Sequence, residues 1–282
     1  MKQRIGFMQG RLSDLVGGKI QAFPVEDWRQ EFSSASSIGI HRMEWTLDQD
    51  GLHENPLMSC SGREQIKVLS KSNKIEIKSL TGDCFMQAPF WKSSGKAKDN
   101  LLDDFYAVCR ASSAIGIKVV VMPLVDNGSL DKQIQEDDLV ATLLATENFL
   151  TKHSVCIAFE SDYEPEELRR FIDRLPAKRF GVNYDIGNSA ALGFDPKVEL
   201  DAYGHRVLNV HVKDRMLGGA TVPLGDGAAE FDVVFSELSN LRFQGSYILQ
   251  TARASDGKHA QALAKYMQMT SHWIIKHSVQ SS

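Results

Sequence analysis

Four short apolar segments of the chain end in a side chain that can bind a metal ion or move a proton. Val155-Cys-Ile-Ala-Phe-Glu160 and Phe180-Gly-Val-Asn-Tyr-Asp185 end on carboxylates, and Tyr247-Ile-Leu-Gln250 ends on an amide. The fourth, Arg206-Val-Leu-Asn-Val-His-Val-Lys-Asp-Arg215, reaches His211 and continues into a polar cluster without a turn residue. Two carboxylates, an imidazole and an amide oxygen suit one divalent cation such as Mn²⁺, Mg²⁺, Co²⁺ or Zn²⁺. We therefore predict a metal site formed by Glu160, Asp185, His211 and Gln250.

These side chains need a scaffold that brings four strand ends together. Strand and helix patterns alternate along nearly the whole chain, which is typical of a parallel sheet with helical crossovers. Eight such units run from the strand Ile5-Gly-Phe-Met8 to a closing helix over residues 256–277. The predicted fold is therefore an α/β protein, a (β/α)8 TIM barrel, forming one domain over residues 1–282. The carboxyl ends of the strands of such a barrel meet at one mouth, where active sites lie.

Local signals predict the side-chain directions and the helix starts. Side chains alternate along a strand, so Ala158, Asn183 and Asn209 are predicted to face the barrel interior. Pro24 is predicted to open the first helix, and Ser61-Gly-Arg-Glu64 has the spacing of a capping box that opens the second. The third helix is predicted from Asn100 to Ile115. The aromatic segment 85–98 before it is interpreted as a loop, and a loop of this length is uncommon unless it covers something.

Composition limits the class of partner. The 282 residues carry a formal net charge of −4 without a Lys/Arg-rich run, which argues against a nucleic-acid surface. No apolar run approaches the roughly 20 residues of a membrane span, and the first eight residues lack the apolar core of a signal peptide. The four cysteines are widely spaced and are expected to be reduced. These features predict a cytoplasmic protein that binds neither nucleic acid nor a membrane, and they leave homo-oligomerisation open.

The order of these motifs resembles the xylose isomerase-like TIM barrel superfamily of sugar and sugar-phosphate isomerases and epimerases, including tagatose 3-epimerase and inositol-catabolism relatives. The resemblance extends over essentially the whole chain and rests on Ile157-Ala-Phe-Glu160, Asp185-Ile-Gly-Asn188, His211-Val-Lys-Asp214 and Gly225-Asp-Gly227. It implies that Glu160, Asp185 and His211 are three of the four ligands of one divalent metal. It also implies a small carbohydrate substrate, from which a proton is removed next to a metal-polarised carbonyl.

The chain departs from the family pattern at two positions of this site. Gln250 stands where the epimerases have a glutamate, and Asn188 stands where many relatives have a substrate-binding histidine. An amide oxygen can still bind a metal, but an amide cannot act as a general base near neutral pH. Glu160 and Gln250 are therefore predicted to be the catalytic pair, with Glu160 as the only base of the two. Another acid is then a candidate for the second proton transfer, and the candidates are Glu44, Asp83 and Asp214.

Three functions remain open from the sequence. The first is isomerisation or epimerisation of a small carbohydrate or sugar phosphate. The second is a metal-dependent lyase of the keto-inositol dehydratase type, in which loss of a β-hydroxyl follows proton removal. The third is a catalytically altered binding homologue. The apurinic-site endonuclease branch requires three zinc ions and many histidines, and here only His211 ends a strand.

Several side chains near the strand ends are predicted to bind the substrate. Each has an alternative role: Glu44 can pair with Arg11 or Arg42, and the cationic side chains can neutralise nearby aspartates. Four aromatic residues can form a wall over a sugar, a subunit interface or part of the core; they are Trp45, Phe85, Phe90 and Trp91. The predicted substrate-binding set is Glu44, Asn188, Lys213, Asp214, Arg215 and Arg253.

Overall fold

Eight parallel strands form a closed barrel in the computed structural model, which describes residues 4–278. This confirms the predicted single-domain (β/α)8 TIM barrel. The outermost residues of the expected 1–282 domain, residues 1–3 and 279–282, lie outside the described part of the chain. Within that part, no helix is both long enough and apolar enough to cross a membrane.

The secondary-structure elements follow one another in strand–helix order. The strands are β1 Ile5–Met8, β2 Arg42–Leu47, β3 Glu76–Gly82, β4 Val119–Leu124, β5 Cys156–Ser161, β6 Phe180–Asp185, β7 Val207–Val212, β8 Asp214–Arg215, β9 Thr221–Val222 and β10 Ser246–Leu249. The strand order around the barrel is β1-β10-β7-β6-β5-β4-β3-β2, and β8 and β9 form a separate two-stranded sheet. The α-helices are α1 Trp28–Ser37, α2 Cys60–Asn73, α3 Asp83–Gln87, α4 Gly95–Ile115, α5 Gln133–His153, α6 Pro165–Asp173, α7 Ile186–Leu192, α8 Pro196–Tyr203, α9 Phe231–Asn240 and α10 His259–Lys276.

Strand register places the predicted site residues side by side. Asp185 on β6 pairs with His211 on β7, and Ile248 on β10 pairs with His211 from the other side. Asn183 pairs with Asn209 two positions below, so alternate residues of neighbouring strands form layers inside the barrel. Both asparagines are buried and hydrogen-bonded to each other at 2.8 Å. The predicted inward direction of these two side chains is therefore observed.

Three predicted helix starts are wrong by a few residues. Helix α1 begins at Trp28, after a turn over residues 24–27 that already contains one helical bond, from the Trp28 amide to Pro24 O at 2.8 Å. Helix α2 begins at Cys60, because Ser59 Oγ accepts a hydrogen bond from the Gly62 amide at 3.0 Å. Helix α4 begins at Gly95 and not at Asn100. The caps and turns that determine the first residue of a helix are local, and sequence patterns place them less accurately than the helix itself.

The aromatic segment between β3 and α4 is not an open loop over a ligand. It contains the short helix α3 and a 3-10 turn over Phe90–Lys92. Phe85, Phe90 and Trp91 are each no more than 4% exposed, and Phe90 packs edge-on against Phe105 with ring centroids 6.0 Å apart. Trp45 is also fully buried. Of the three roles open to these aromatic residues, the structure supports core packing.

Candidate active site

Three strand ends bring the acidic and imidazole side chains together as one buried cluster. Glu160 lies in β5, Asp185 ends β6 and His211 lies near the end of β7. One potential ligand atom from each of the three lies within 4.8 Å of the others. His211 Nδ1 is 3.1 Å from Glu160 Oε2 and 3.8 Å from Asp185 Oδ2. Two carboxylate oxygens and one ring nitrogen thus converge, a donor set that fits a divalent cation.

Glu44 orients the imidazole from the opposite side. Its Oε1 lies 2.7 Å from His211 Nε2, and both side chains are fully buried. With Nε2 directed at this carboxylate, Nδ1 faces Glu160 and Asp185, and a metal bound there would take the place of the proton on Nδ1. Burial alone would lower the pKa of His211, but the charge of Glu44 and contacts with Asp185 and Glu160 raise this pKa well above its ordinary value. Burial would raise the pKa of Glu44, and His211 lowers it.

Two asparagine side chains hold the Glu160 carboxylate. Asn183 Nδ2 donates to Oε2 at 2.8 Å, and Asn188 Nδ2 donates to Oε1 at 2.7 Å. Both oxygens of Glu160 therefore have a donor, which fixes the plane of the carboxylate. The backbone N–H of Asn188 also donates to Asp185 Oδ1 at 2.8 Å, at the start of α7. Asn188 thus connects the two predicted acidic ligands.

Lys213 places an ammonium group between the acidic cluster and Gln250. Its Nζ donates to Asp185 Oδ2 at 3.2 Å, to Asn188 Oδ1 at 3.0 Å and to Gln250 Oε1 at 3.4 Å. Gln250 follows β10, points into the same mouth as the other predicted ligands and is 9% exposed. The positive charges of Lys213 and His211 lower the pKa of Asp185 to about 2 against the opposing effect of burial.

A cavity of about 550 Å³ opens above this cluster at the carboxyl ends of the strands. Its volume is in the range of small-molecule binding sites. Residues with polar side chains from several strand ends line it, including Asp83, Glu160, Asn188, Lys213, Arg215 and Gln250. Arg215 Nη1 donates to Asn188 Oδ1 at 2.9 Å, and its Nε and Nη2 both donate to the carbonyl of Gly219. Three of the six predicted substrate-binding residues, Asn188, Lys213 and Arg215, therefore line the cavity.

The other three predicted substrate-binding residues have protein partners elsewhere. Glu44 contacts His211 and not Arg11 or Arg42. Asp214 is fully buried and accepts hydrogen bonds from the backbone amides of Gly225, Gly227 and Ala229 at 2.8–3.1 Å. Arg253 donates to the carbonyls of Gly10, Ser13 and Ile20, so its guanidinium holds the loop after β1. A substrate contact for these three stays a prediction that their present contacts do not favour.

Some cavity residues were not among the predicted site residues. Thr81 lies near the end of β3 and Gln21 lies in the loop after β1, and both line the cavity. The strand-end rule that selected Glu160 also points to Thr81. No periodic pattern marks Gln21, whose amide donates to Thr46 Oγ1 at 3.2 Å across the loop. Its position depends on loop geometry and has no signal in the sequence.

Comparison with known proteins gives the family. A profile of the family described as Xylose isomerase-like TIM barrel matches residues 32–271. The Escherichia coli K12 protein described as "Putative L-ribulose-5-phosphate 3-epimerase SgbU" is 21% identical over 239 residues, which cover 79% of this chain and 83% of that protein. The Salmonella paratyphi A L-ribulose-5-phosphate 3-epimerase UlaE is 33% identical over 87 residues, which cover 30% of this chain and 31% of UlaE.

Solved structures agree in fold. A D-psicose 3-epimerase structure determined in the presence of D-fructose superposes with a TM-score of 0.76 at 11% identity, covering 96% of this chain and 99% of that one. The IOLI protein with a bound zinc atom superposes with a TM-score of 0.75 at 17% identity, covering 98% and 100%. Identities this low establish the common barrel alone. On the profile match over residues 32–271, this chain belongs to the xylose isomerase-like TIM barrel family.

Proposed function

We propose that this chain is a divalent-metal-dependent epimerase or isomerase of a small carbohydrate. One observation carries the proposal: Glu160, Asp185 and His211 converge as a buried cluster beneath a cavity of about 550 Å³ at the barrel mouth. A single carboxylate or histidine at a strand end has many structural explanations. Three ligand types on consecutive strands, with their donor atoms pointing together, favour a metal-assisted reaction.

The side-chain oxygens and the ring nitrogen of the cluster are suitable ligands for a divalent cation, and the contact between Glu44 and His211 orients the ring for this role. Glu160, Asp185 and His211 would hold the metal, and Gln250 Oε1 would be a neutral fourth donor once the Lys213 ammonium moves from between it and Asp185. When bound there, a divalent cation supplies Lewis-acid polarisation of the substrate carbonyl, which acidifies the neighbouring C–H bond. Glu44 is not a ligand in this arrangement; it sets the direction of the His211 ring.

Glu160 is the proposed base of the reaction. Its carboxylate lines the cavity, and both of its oxygens are oriented by Asn183 and Asn188. A base held in one orientation does not need to reorganise when the substrate binds. Gln250 lines the same cavity but cannot accept a C–H proton as an amide. Its proposed contribution is hydrogen bonding to a substrate oxygen or to the metal.

A small ketose is the proposed substrate class. SgbU and UlaE are named as epimerases of L-ribulose 5-phosphate, and another relative in fold is named as a D-psicose 3-epimerase. The cations that line the cavity, Lys213 and Arg215, already have acceptors in Asp185, Asn188 and Gly219. A phosphate group would have to displace these acceptors, so both phosphorylated and unphosphorylated ketoses belong in the test.

A lyase reaction is the second candidate, and Gln250 is the observation that favours it. With one base on the substrate, proton removal by Glu160 can be followed by loss of a β-hydroxyl in place of proton return. The two reactions are distinguished by their products, because a lyase releases water and forms an unsaturated or diketo product. An epimerase or isomerase conserves the mass of its substrate.

The test combines metal analysis with isotope exchange. Protein purified without chelator is expected to contain about one divalent cation per chain by elemental mass spectrometry. In D₂O, the same protein is expected to exchange the proton next to the carbonyl of L-ribulose 5-phosphate or D-fructose, followed by NMR. Absence of both a bound metal and any exchange with ketoses contradicts the proposal. A product that is lighter than its substrate by one water would instead identify the reaction as that of a lyase.

A further inference from the structure

Asp83 lines the same cavity as Glu160, and within the described residues its carboxylate has no hydrogen-bond partner. Asp83 follows β3 directly at the start of the short helix α3, and it is 7% exposed. It lines the cavity together with Glu160 and Gln250. Among residues 4–278 no hydrogen bond or ion pair reaches its carboxylate. A buried carboxyl group without a partner is costly, so its retention at a cavity wall points to a ligand or a reacting group.

The surroundings of Asp83 keep a substantial fraction of its carboxyl groups protonated near neutral pH. Burial raises its pKa to about 7, with further contributions from the negative charges of Asp48 and Glu160, while His211 and Arg11 act in the opposite direction. The contacts of Glu160 are of another kind: two amide donors and the His211 ring are directed at its oxygens. Two carboxyl groups in one cavity whose environments differ in this way are suited to be an acid and a base.

The other two candidate acids are committed to structural contacts. Glu44 is fully buried against His211 Nε2 and accepts a hydrogen bond from Asn209 at 2.8 Å. The carboxylate of Asp214 accepts hydrogen bonds from three backbone amides of the loop 225–229. Neither lines the cavity described above. Asp83 is therefore the one of the three acids that a bound substrate can reach.

We propose that Asp83 is the second acid/base group of the site, acting on the face of the substrate carbon that Glu160 does not reach. This inference rests on the proposed function. The Glu160 carboxylate takes the proton from the carbon next to the carbonyl, and the C–H electron pair forms the enediolate. The carboxylic acid of Asp83 gives its proton to the other face of that carbon, which inverts the centre. Glu160 then releases its proton to solvent and Asp83 takes one up, so both return to their starting forms.

The test separates proton exchange from inversion in D₂O, with L-ribulose 5-phosphate and D-fructose as probes. Asp83→Asn is expected to lower formation of the epimer by ~10²–10⁴-fold, the usual loss for a general acid or base. It should still exchange the α-proton of the starting sugar, because Glu160 is intact. Glu160→Gln should lose that exchange. The exposed Asp99→Asn on α4 serves as a matched carboxylate-to-amide control and should keep both rates.

Metal affinity supplies a readout that does not depend on turnover. Mn²⁺ titrated calorimetrically should bind Asp83→Asn as it binds wild type, whereas Glu160→Gln should bind it at least about tenfold more weakly. Asp83→Ala is tested in parallel in case the amide misfolds. The proposal is overturned if Asp83→Asn keeps the wild-type rates of α-proton exchange and epimer formation, or if it lowers both rates by the same factor. If the wild type binds no Mn²⁺ and exchanges the α-proton of neither sugar, the proposed function itself is contradicted, and the inference about Asp83 is contradicted with it.

Discussion

Glu44 and His211, 167 positions apart in sequence, are joined at 2.7 Å inside the barrel, where neither side chain is exposed. The strand β2 that carries Glu44 lies almost opposite β7 in the closed barrel. The contact therefore spans the interior and not one pair of neighbouring strands. It fixes which ring nitrogen of His211 faces Glu160 and Asp185, so the geometry of the proposed metal site depends on a residue that does not belong to it.

Glu44→Gln is predicted to weaken metal binding without removing a ligand. Loss of the carboxylate removes the charge that holds the proton on His211 Nε2, and changes of this kind typically cost ~10–100-fold in metal affinity. The measurement is calorimetric titration of Mn²⁺ into the metal-stripped protein. Glu76→Gln, which removes the surface partner of Arg42 at 3.0 Å, is the control and should leave the affinity unchanged. Equal affinities in wild type and Glu44→Gln would contradict the positioning role.

Gln250→Glu is predicted to tighten metal binding. The substitution restores the family's negative charge at the fourth position, and hard cations bind more tightly as the number of charged ligands rises. Lys213 lies 3.4 Å from Gln250 Oε1 and would pair with the new carboxylate, which offsets part of the gain. Combining it with Lys213→Met removes that pairing, so the double variant should bind Mn²⁺ more tightly than Gln250→Glu alone. Weaker binding in both variants would show that position 250 does not face the metal.

The sequence predicts the barrel and the main acidic cluster for physical reasons that the structure bears out. Parallel strands that end on polar side chains must bring those ends to one mouth, and Glu160, Asp185 and His211 follow from that rule alone. The contact between Glu44 and His211 does not follow from this rule, because it depends on closure of the barrel and on the length of both side chains. Arg253 also follows β10, but its long side chain reaches back to the carbonyls of Gly10 and Ile20. The position of a residue in a strand determines where its Cα lies, but not where the end of a long, flexible side chain lies.

Gly227→Ala is predicted to release the loop 225–229 from Asp214. A Cβ at this glycine would lie 2.2 Å from Asp214 Oδ1 and 2.6 Å from the carbonyl of Arg215, closer than real Cβ contacts. The carboxylate must then leave its three amide donors, at a cost of roughly 1–3 kcal/mol. Hydrogen exchange at the amides of Gly225 and Ala229 should become at least about tenfold faster. The exposed Ala228→Ser in the same loop is the control, and unchanged exchange in Gly227→Ala would show that the loop does not depend on this contact.

Glu136 provides a prediction about pH and stability that is independent of the site. It lies on α5 and is 1% exposed, where Arg170 from α6 donates to both of its oxygens at 2.7–2.8 Å and Tyr163 donates at 3.0 Å. Arg174 donates to the same carboxylate. Burial would raise the pKa of Glu136, but these hydrogen bonds and the arginine charge lower it to about 2.

Because the pKa of Glu136 is lower in the folded than in the unfolded chain, the unfolded chain binds more protons between pH 2 and about pH 4.3. The stabilisation is therefore present above that range and is lost as pH falls towards 2. Glu136→Gln should lower the free energy of unfolding at pH 7 by about 1 kcal/mol, a small value because the two arginines are partly exposed and can be solvated again. The difference between wild type and variant, measured by urea unfolding, should shrink as pH falls from 5 to 3.

Glu166→Gln, which removes an exposed partner of Arg169, is the control and should change stability by less than about 0.5 kcal/mol at either pH. A wild-type advantage that stays constant with pH would mean that packing of the side chain, and not its charge, stabilises the contact between α5 and α6.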